Sequence, residues 1–136
     1  MSIPNVLTIA GTDPSGGAGI MADLKAFGAL RTHGCAVVTA VVAQNTRGVA
    51  AVTQMTPQQV RTQLENLVDD VRIDALKIGM LGSAAVIETV ADVLPLRAPC
   101  SPDDALDLLD PTGWLEAAAD LRRRLRWQAA AKGATP

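Results

Sequence analysis

A glycine-rich loop is the first segment of this sequence whose residue types and spacing could do chemistry. Residues 11–19 read Gly-Thr-Asp-Pro-Ser-Gly-Gly-Ala-Gly and lie between an apolar run and an amphipathic segment. Glycine lets backbone N–H groups approach a ligand closely, and the N-terminus of a following helix favours negative charge. The loop is therefore either a ligand-binding element or a strand-to-helix turn that binds nothing, and both interpretations stay open.

Two nucleotide-binding signatures fit this loop poorly. No Lys-Ser or Lys-Thr pair follows the glycines, which excludes a Walker loop. Gly17-x-Gly19-x-x-Ala22 satisfies a loose dinucleotide fingerprint, but such sites need an acidic residue at the end of the second strand. The sequence has Ala43 and Gln44 at that point, so dinucleotide binding is disfavoured.

Two amides and a methionine follow apolar runs elsewhere in the chain. Gln44 and Asn45 come directly after the run 35–43, and a side-chain amide can pair with the donor and acceptor edge of an aminopyrimidine or satisfy loop backbone. Met80 can pack against a heteroaromatic ring or belong to the core. Lys77 lies in the apolar run before Met80 and needs a partner, for which Asp23 is one possibility.

Cysteine and histidine offer little catalytic potential here. Cys35 begins an apolar run and Cys100 lies in a proline-rich stretch, and their separation fits no metal site. His33 follows a predicted helix, where it is expected to cap the C-terminus. We therefore expect no metal site and no catalytic residue among them.

Alternating strand and helix patterns must position these residues. Strands are predicted at 6–10, 35–43, 49–54 and 74–80, and helices are predicted from 20, 57 and 83, the last of them stopped at Pro95. This order predicts a three-layer α/β/α fold with a largely parallel sheet. Ligands bind beyond the carboxyl ends of such strands, so residues 11–19, 44–48 and 80–82 should meet at one edge.

Composition narrows the class of protein further. The chain has 136 residues, is 49% hydrophobic and carries a formal charge of −2, which predicts one soluble domain with no affinity for nucleic acid or membranes. No export signal or membrane-spanning run is found in the sequence. We expect a cytoplasmic protein in which residues 1–94 form the α/β unit and residues 95–136 form a divergent helical tail rich in Pro, Ala and Arg.

The residues that form these motifs resemble a known family. The segments 4–20, 22–25, 38–40, 43–46 and 77–81 are similar to the N-terminal half of the hydroxymethylpyrimidine/phosphomethylpyrimidine kinases of thiamine biosynthesis, which belong to the ribokinase-like superfamily. The resemblance implies ATP-dependent, Mg²⁺-assisted phosphorylation of 4-amino-5-hydroxymethyl-2-methylpyrimidine and of its monophosphate. It also implies a pyrimidine pocket formed by Gly11, Ala18, Asp23, Val42, Gln44 and Met80.

The second half of the family pattern does not follow in this sequence. The resemblance would require an Asp-Pro-Val-Met strand end, a Thr-Pro-Asn segment and a glycine-rich loop with a cysteine, and none follows Leu94. We therefore expect a truncated, catalytically incomplete kinase that associates with itself through its uncovered sheet. The alternative is a non-catalytic pyrimidine-binding domain. In a relative that phosphorylates pyridoxal, the same N-terminal half would bind its substrate differently.

Overall fold

The elements of the fold alternate as the sequence predicts. The computed structural model describes residues 3–97, with side chains described to Leu94, so most of the expected tail lies outside the described residues. The elements are β1 (Asn5–Gly11), α1 (Gly19–Ala29), β2 (His33–Asn45), β3 (Gly48–Gln54), α2 (Pro57–Asp70), β4 (Ala75–Ile78) and α3 (Ala84–Arg97).

The described strands form one mixed sheet. Their order is β3-β2-β1-β4, with β1 parallel to β2 and to β4, while β2 and β3 are antiparallel. Alternate residues of β1 face opposite layers: Leu7 and Ile9 pack into the core with α2 and α3, whereas Thr8 bonds to α1. Helices therefore cover both faces of β1, and the predicted α/β fold is confirmed.

Strand β2 differs from its prediction in its second half. The run 35–43 is almost entirely apolar, which is typical of a strand covered on both faces, but Val41 is 53% exposed. The pairing of β2 with β1 ends where Ala40 meets Gly11, and the remainder pairs with β3. Since β1 ends there, β2 and β3 continue as a two-stranded ribbon beyond the core.

Capping side chains and a proline lie near the ends of α2 and α3. Thr56 and Gln59 form a capping box at the start of α2, and the Ser83 hydroxyl accepts from the backbone of Val86 in α3. Helix α3 continues past Pro95, because a proline in the last turn removes few backbone bonds. None of the helices in residues 3–97 is long and apolar enough to cross a membrane.

The prediction that His33 caps α1 is wrong. Helix α1 ends at Ala29, and the chain reverses at Arg31, which has a φ of 59°. The backbone N–H of His33 then donates to the Pro4 carbonyl, and His33 begins β2. Pairing between strands that are distant in sequence therefore places His33 in the sheet, and not at the end of α1.

Gln63 of α2 closes the edge of β2 where β3 does not reach. Its Oε1 accepts from the backbone N–H of Val38 at 2.9 Å, and its Nε2 donates to the Val38 carbonyl at 3.0 Å. The amide thus replaces a neighbouring strand, because it offers one donor and one acceptor as a peptide group does.

Replacement of Gln63 by Ala should destabilise the fold by about 1–3 kcal/mol, because both backbone groups of Val38 lose their partners. Urea unfolding of Gln63→Ala and of the wild type measures this difference. Gln58→Ala, on the exposed side of the same helix, is the matched control and should change stability little. Equal unfolding midpoints for Gln63→Ala and the wild type would contradict the assigned role of the amide.

Candidate functional site: a cavity at the carboxyl edge of the sheet

A cavity of about 500 Å³ opens where β1, β2 and β4 end. This volume falls within the range usual for sites that bind small molecules. Residues from the glycine-rich loop, α1 and the β2–β3 ribbon complete its walls. All six residues assigned to a pyrimidine pocket line this cavity: Gly11, Ala18, Asp23, Val42, Gln44 and Met80.

The glycine-rich loop is organised around the carboxylate of Asp13. The side chain is buried and accepts hydrogen bonds from the backbone and hydroxyl of Ser15 and from the N–H groups of Gly17 and Ala18, at 2.7–3.1 Å. The Ser15 hydroxyl and the backbone donors lower the pKa of Asp13, although burial opposes them. One ionised carboxylate therefore fixes the conformation of the loop that lines this side of the cavity.

This arrangement argues against an anionic ligand at the N–H groups of Gly17 and Ala18, within the two interpretations of the loop that the sequence leaves open. The donors of Gly17 and Ala18, at the start of α1, point to Asp13 instead. A carboxylate at a helix N-terminus supplies the negative charge that the helix dipole favours there. Ala18 still lines the cavity, but its backbone N–H is already used.

Two glycines hold the loop against the end of β1. Gly19 has a φ of 55°, and a side chain there would collide with the Gly11 carbonyl. A Cβ at Gly11 would lie 2.7 Å from Met80 Cε and 3.5 Å from Val42 Cγ2. The absence of side chains at both positions therefore lets α1 approach β1 and leaves space for Met80 at the cavity wall.

Gln44 and Asn45 have different roles in the structure. Asn45 Oδ1 accepts from the backbone of Arg47 and Gly48, at 2.8 and 3.2 Å, and so forms the turn between β2 and β3. Gln44 lines the cavity and is half-buried. Within residues 3–94 the Gln44 amide makes no side-chain hydrogen bond. Its N–H donors and its oxygen acceptor are therefore available for hydrogen bonds to a ligand.

Threonine hydroxyls form hydrogen bonds between the segments that line the cavity. Thr12 Oγ1 accepts from the Val42 backbone at 2.9 Å, and Thr39 Oγ1 donates to the Met80 carbonyl at 2.6 Å. Thr39 is fully buried. These bonds fix the positions of Val42 and Met80 relative to the loop.

The predicted pair of Lys77 and Asp23 is confirmed. Lys77 Nζ lies 2.8 Å from Asp23 Oδ2, and both side chains are largely buried at the cavity wall. The same oxygen accepts from Thr8 Oγ1 at 2.6 Å. A charged pair from β4 and α1 therefore lies beside Thr8 of β1.

In the part of the chain that the structure describes, neither the cysteine nor a metal-binding cluster contributes to the cavity. Cys35 is buried, and burial raises the pKa of its thiol, which makes it a poor nucleophile. Cys100 lies outside the described residues. Among residues 3–94, no group of three or more His, Cys, Asp or Glu side chains is arranged to hold a metal ion.

Sequence reasoning missed Asp13, Thr12 and Thr39. Asp13 stands two residues before Ser15, and that spacing is a signal for a carboxylate that accepts from its own loop backbone. The threonines carry no such local signal, because their partners lie about thirty and forty residues away along the chain.

The fold and cavity define an α/β protein whose mostly parallel sheet carries, at its carboxyl edge, a cavity of the size that small molecules occupy. The sequence model of the phosphomethylpyrimidine kinase family matches residues 13–102. The chain belongs to this family.

Relatives with known names agree with this assignment. The chain is 60% identical over 90 residues to the hydroxymethylpyrimidine/phosphomethylpyrimidine kinase of Escherichia coli, an alignment that covers 66% of this chain and 34% of the relative. The corresponding kinase of Streptomyces coelicolor is 49% identical over 110 residues, which cover 81% of this chain and 39% of the relative. The chain thus spans between a third and two fifths of these two relatives.

Solved structures give the same fold. A phosphomethylpyrimidine kinase from Clostridium difficile superposes with a TM-score of 0.69 at 38% identity, over 87% of this chain and 52% of that protein. A pyridoxal kinase from Staphylococcus aureus in complex with pyridoxal superposes with a TM-score of 0.70 at 34% identity, over 89% of this chain and 46% of that protein.

Acid should loosen the loop through Asp13. The folded state lowers the pKa of Asp13 below the model-peptide value of 3.8, so its stabilising contribution is complete above that value and is lost as pH falls through the folded pKa. In Asp13→Asn an amide N–H replaces an acceptor oxygen and must face the loop donors. We expect a lower melting temperature at neutral pH and a weaker loss of stability in acid.

Thermal unfolding between pH 7 and pH 3 measures both effects. Asp70→Asn, at the exposed end of α2, is the control and should follow the wild type. An Asp13→Asn variant whose melting temperature matches the wild type at neutral pH would show that the carboxylate does not organise the loop.

Proposed function

We propose that the chain binds 4-amino-5-hydroxymethyl-2-methylpyrimidine in the cavity and forms the acceptor-binding part of an ATP-dependent hydroxymethylpyrimidine/phosphomethylpyrimidine kinase of thiamine biosynthesis. The observation that carries this proposal is the Gln44 amide at the wall of a cavity whose other side bears Met80 and Gly11. The named relatives, which are kinases of this kind, support it. Such a protein would act in the cytoplasm, where ATP is available.

The chemistry of the cavity suits a neutral heteroaromatic ring. The Gln44 amide can donate to a ring nitrogen and accept from an exocyclic amine. Met80 offers a polarisable thioether to a ring face, and Val42 supplies an apolar wall beside it. The carboxylate of Asp23 is an acceptor for a hydroxymethyl or amino group of the ligand.

ATP and Mg²⁺ do not fit the described part of this site. The loop that would be the natural phosphate cradle presents its Gly17 and Ala18 donors to Asp13, and the ionised Asp13 would repel a phosphate. The residues that the structure describes also hold no acidic cluster for a metal ion. We therefore assign this cavity to the molecule that accepts the phosphoryl group.

A second candidate function is pyrimidine binding without catalysis. It rests on the same cavity and on the poor fit of a nucleotide to the described residues. A second ligand, pyridoxal, is suggested by the similar pyridoxal kinase, and titration with both compounds shows which of the two the cavity prefers. An aminopyrimidine should bind more tightly, because it presents the donor and acceptor edge that Gln44 complements.

Replacement of Gln44 by Ala should weaken binding of the hydroxymethylpyrimidine by about tenfold or more, because the polar edge of the ligand loses its partner in a partly desolvated site. Isothermal titration calorimetry of both proteins gives the ratio of dissociation constants. Gln58→Ala, far from the cavity on α2, should bind as the wild type does. Equal affinities for Gln44→Ala and the wild type would refute the assigned role of Gln44.

Binding without turnover is our prediction for this chain alone with ATP, Mg²⁺ and the hydroxymethylpyrimidine. Phosphoryl transfer needs preorganised donors around the moving group, and the N–H groups of Gly17 and Ala18 at the start of α1 already donate to Asp13. Mass spectrometry of the monophosphate checks this. A rate of roughly 1 s⁻¹ or above that disappears in Gln44→Ala prepared in the same way would contradict the prediction and establish a complete kinase.

A further inference from the structure

A charged pair at the cavity wall has a geometry that binding alone does not explain. Lys77 Nζ and Thr8 Oγ1 both donate to the same oxygen of Asp23, Oδ2, at 2.8 and 2.6 Å. The exposed fractions of the Lys77 and Asp23 side chains are 20% and 16%. Two donors on one oxygen restrict the rotation of the carboxylate about its χ2 bond.

The second oxygen of Asp23, Oδ1, is left for another partner. Within residues 3–94 it receives no hydrogen bond. The described part of the chain also contains no buried side-chain oxygen or nitrogen without a partner. Oδ1 is therefore reached by solvent, and since Asp23 lines the cavity, the accessible oxygen is available to a ligand there.

The backbone around Lys77 is shaped to hold its ammonium group. A Cβ at Gly79 would lie 3.1 Å from Lys77 Nζ and 2.8 Å from the Cβ of Ala10, so a side chain at position 79 would compete for the space that the ammonium occupies. Lys77 belongs to β4 and Thr8 to β1, which are paired in register at these two residues. The two donors are thus fixed by strand pairing, and α1 brings the carboxylate to them.

We infer that Lys77 is a positioning residue of the cavity, which together with Thr8 holds Asp23 so that Oδ1 accepts a hydrogen bond from the bound acceptor molecule. The inference rests on the proposed function and goes beyond it, because it assigns a role to a lysine that acts through another side chain. The ligand group that Oδ1 recognises is a donor, either a hydroxyl or an exocyclic amine. Charge-assisted hydrogen bonds of this kind are stronger than neutral ones.

Three variants and a double mutant test the inference. Lys77→Met removes the ammonium and keeps most of the side-chain length, Lys77→Arg keeps the charge, and Thr8→Val removes the second donor with little change in shape. Arg61→Met, whose guanidinium pairs with Glu65 and Asp92 on the helical face, is the control for loss of a cation. Thermal unfolding confirms that each variant is folded before its affinity is compared.

Calorimetric titration with 4-amino-5-hydroxymethyl-2-methylpyrimidine gives the first readout. We expect Lys77→Met to bind about tenfold more weakly, Thr8→Val to bind more weakly by a smaller factor, Lys77→Arg to recover most of the affinity, and Arg61→Met to match the wild type. In the Asp23→Asn background, Lys77→Met should cause no further loss, because Lys77 acts through Asp23. Wild-type affinity in Lys77→Met, or the same factor of loss in both backgrounds, would overturn the inference.

The carboxyl carbon-13 signal of Asp23 gives a second readout that needs no ligand. It is identified by its loss in Asp23→Asn, and at neutral pH we expect Lys77→Met to shift it and Lys77→Arg to leave it near the wild-type position. If the wild type binds no pyrimidine, the proposed function fails. The carbon-13 signal alone then shows whether Lys77 holds the Asp23 carboxylate. An unchanged signal in Lys77→Met would show that the ammonium does not hold the carboxylate.

Discussion

The geometry of the cavity depends on the buried carboxylate of Asp13. Four donors converge on it, from Ser15, Gly17 and Ala18. These hydrogen bonds hold the loop in one conformation, although its glycines alone would permit many. Because the loop is fixed, α1 starts at a defined point, with Gly19 against the carbonyl of Gly11. Asp23, one turn further along α1, then pairs with Lys77 beside Thr8 of β1.

Short side chains on the two inner strands extend this order to the rest of the site. Thr8 bonds to α1, Thr12 bonds to the backbone of β2, and Thr39 bonds to the carbonyl of Met80. A hydroxyl close to the backbone loses little side-chain entropy when it is ordered. The walls of the cavity are therefore held by bonds that join neighbouring segments directly, and its larger side chains, Gln44 and Met80, are left to contact a ligand.

The sequence predicts the features that are local and misses those that require distant partners. The capping box at Thr56 and the approximate ends of β1 and β2 follow from patterns within a few residues, whereas β4 ends at Ile78, before the predicted end at residue 80. The Lys77 partner follows because a charge in an apolar strand needs one. The extension of β2 into a ribbon depends on where β1 ends. The bond between Gln63 and Val38 links segments 25 residues apart, which no local pattern indicates.

The position of Asp13 also separates two tasks that a kinase must perform. A phosphate is stabilised by unoccupied N–H groups at a helix N-terminus, whereas here an internal carboxylate already takes the N–H groups of Gly17 and Ala18. What remains open to a ligand is an amide, a thioether and one carboxylate oxygen, a set that discriminates the edge of a neutral ring and its substituents. The acceptor molecule and the transferred phosphoryl group therefore make different demands on the protein, and under the proposed function the described residues serve only the first. Acceptor affinity then depends on residues from β1, α1, β2 and the segment after β4, and it can be measured and altered independently of phosphoryl transfer.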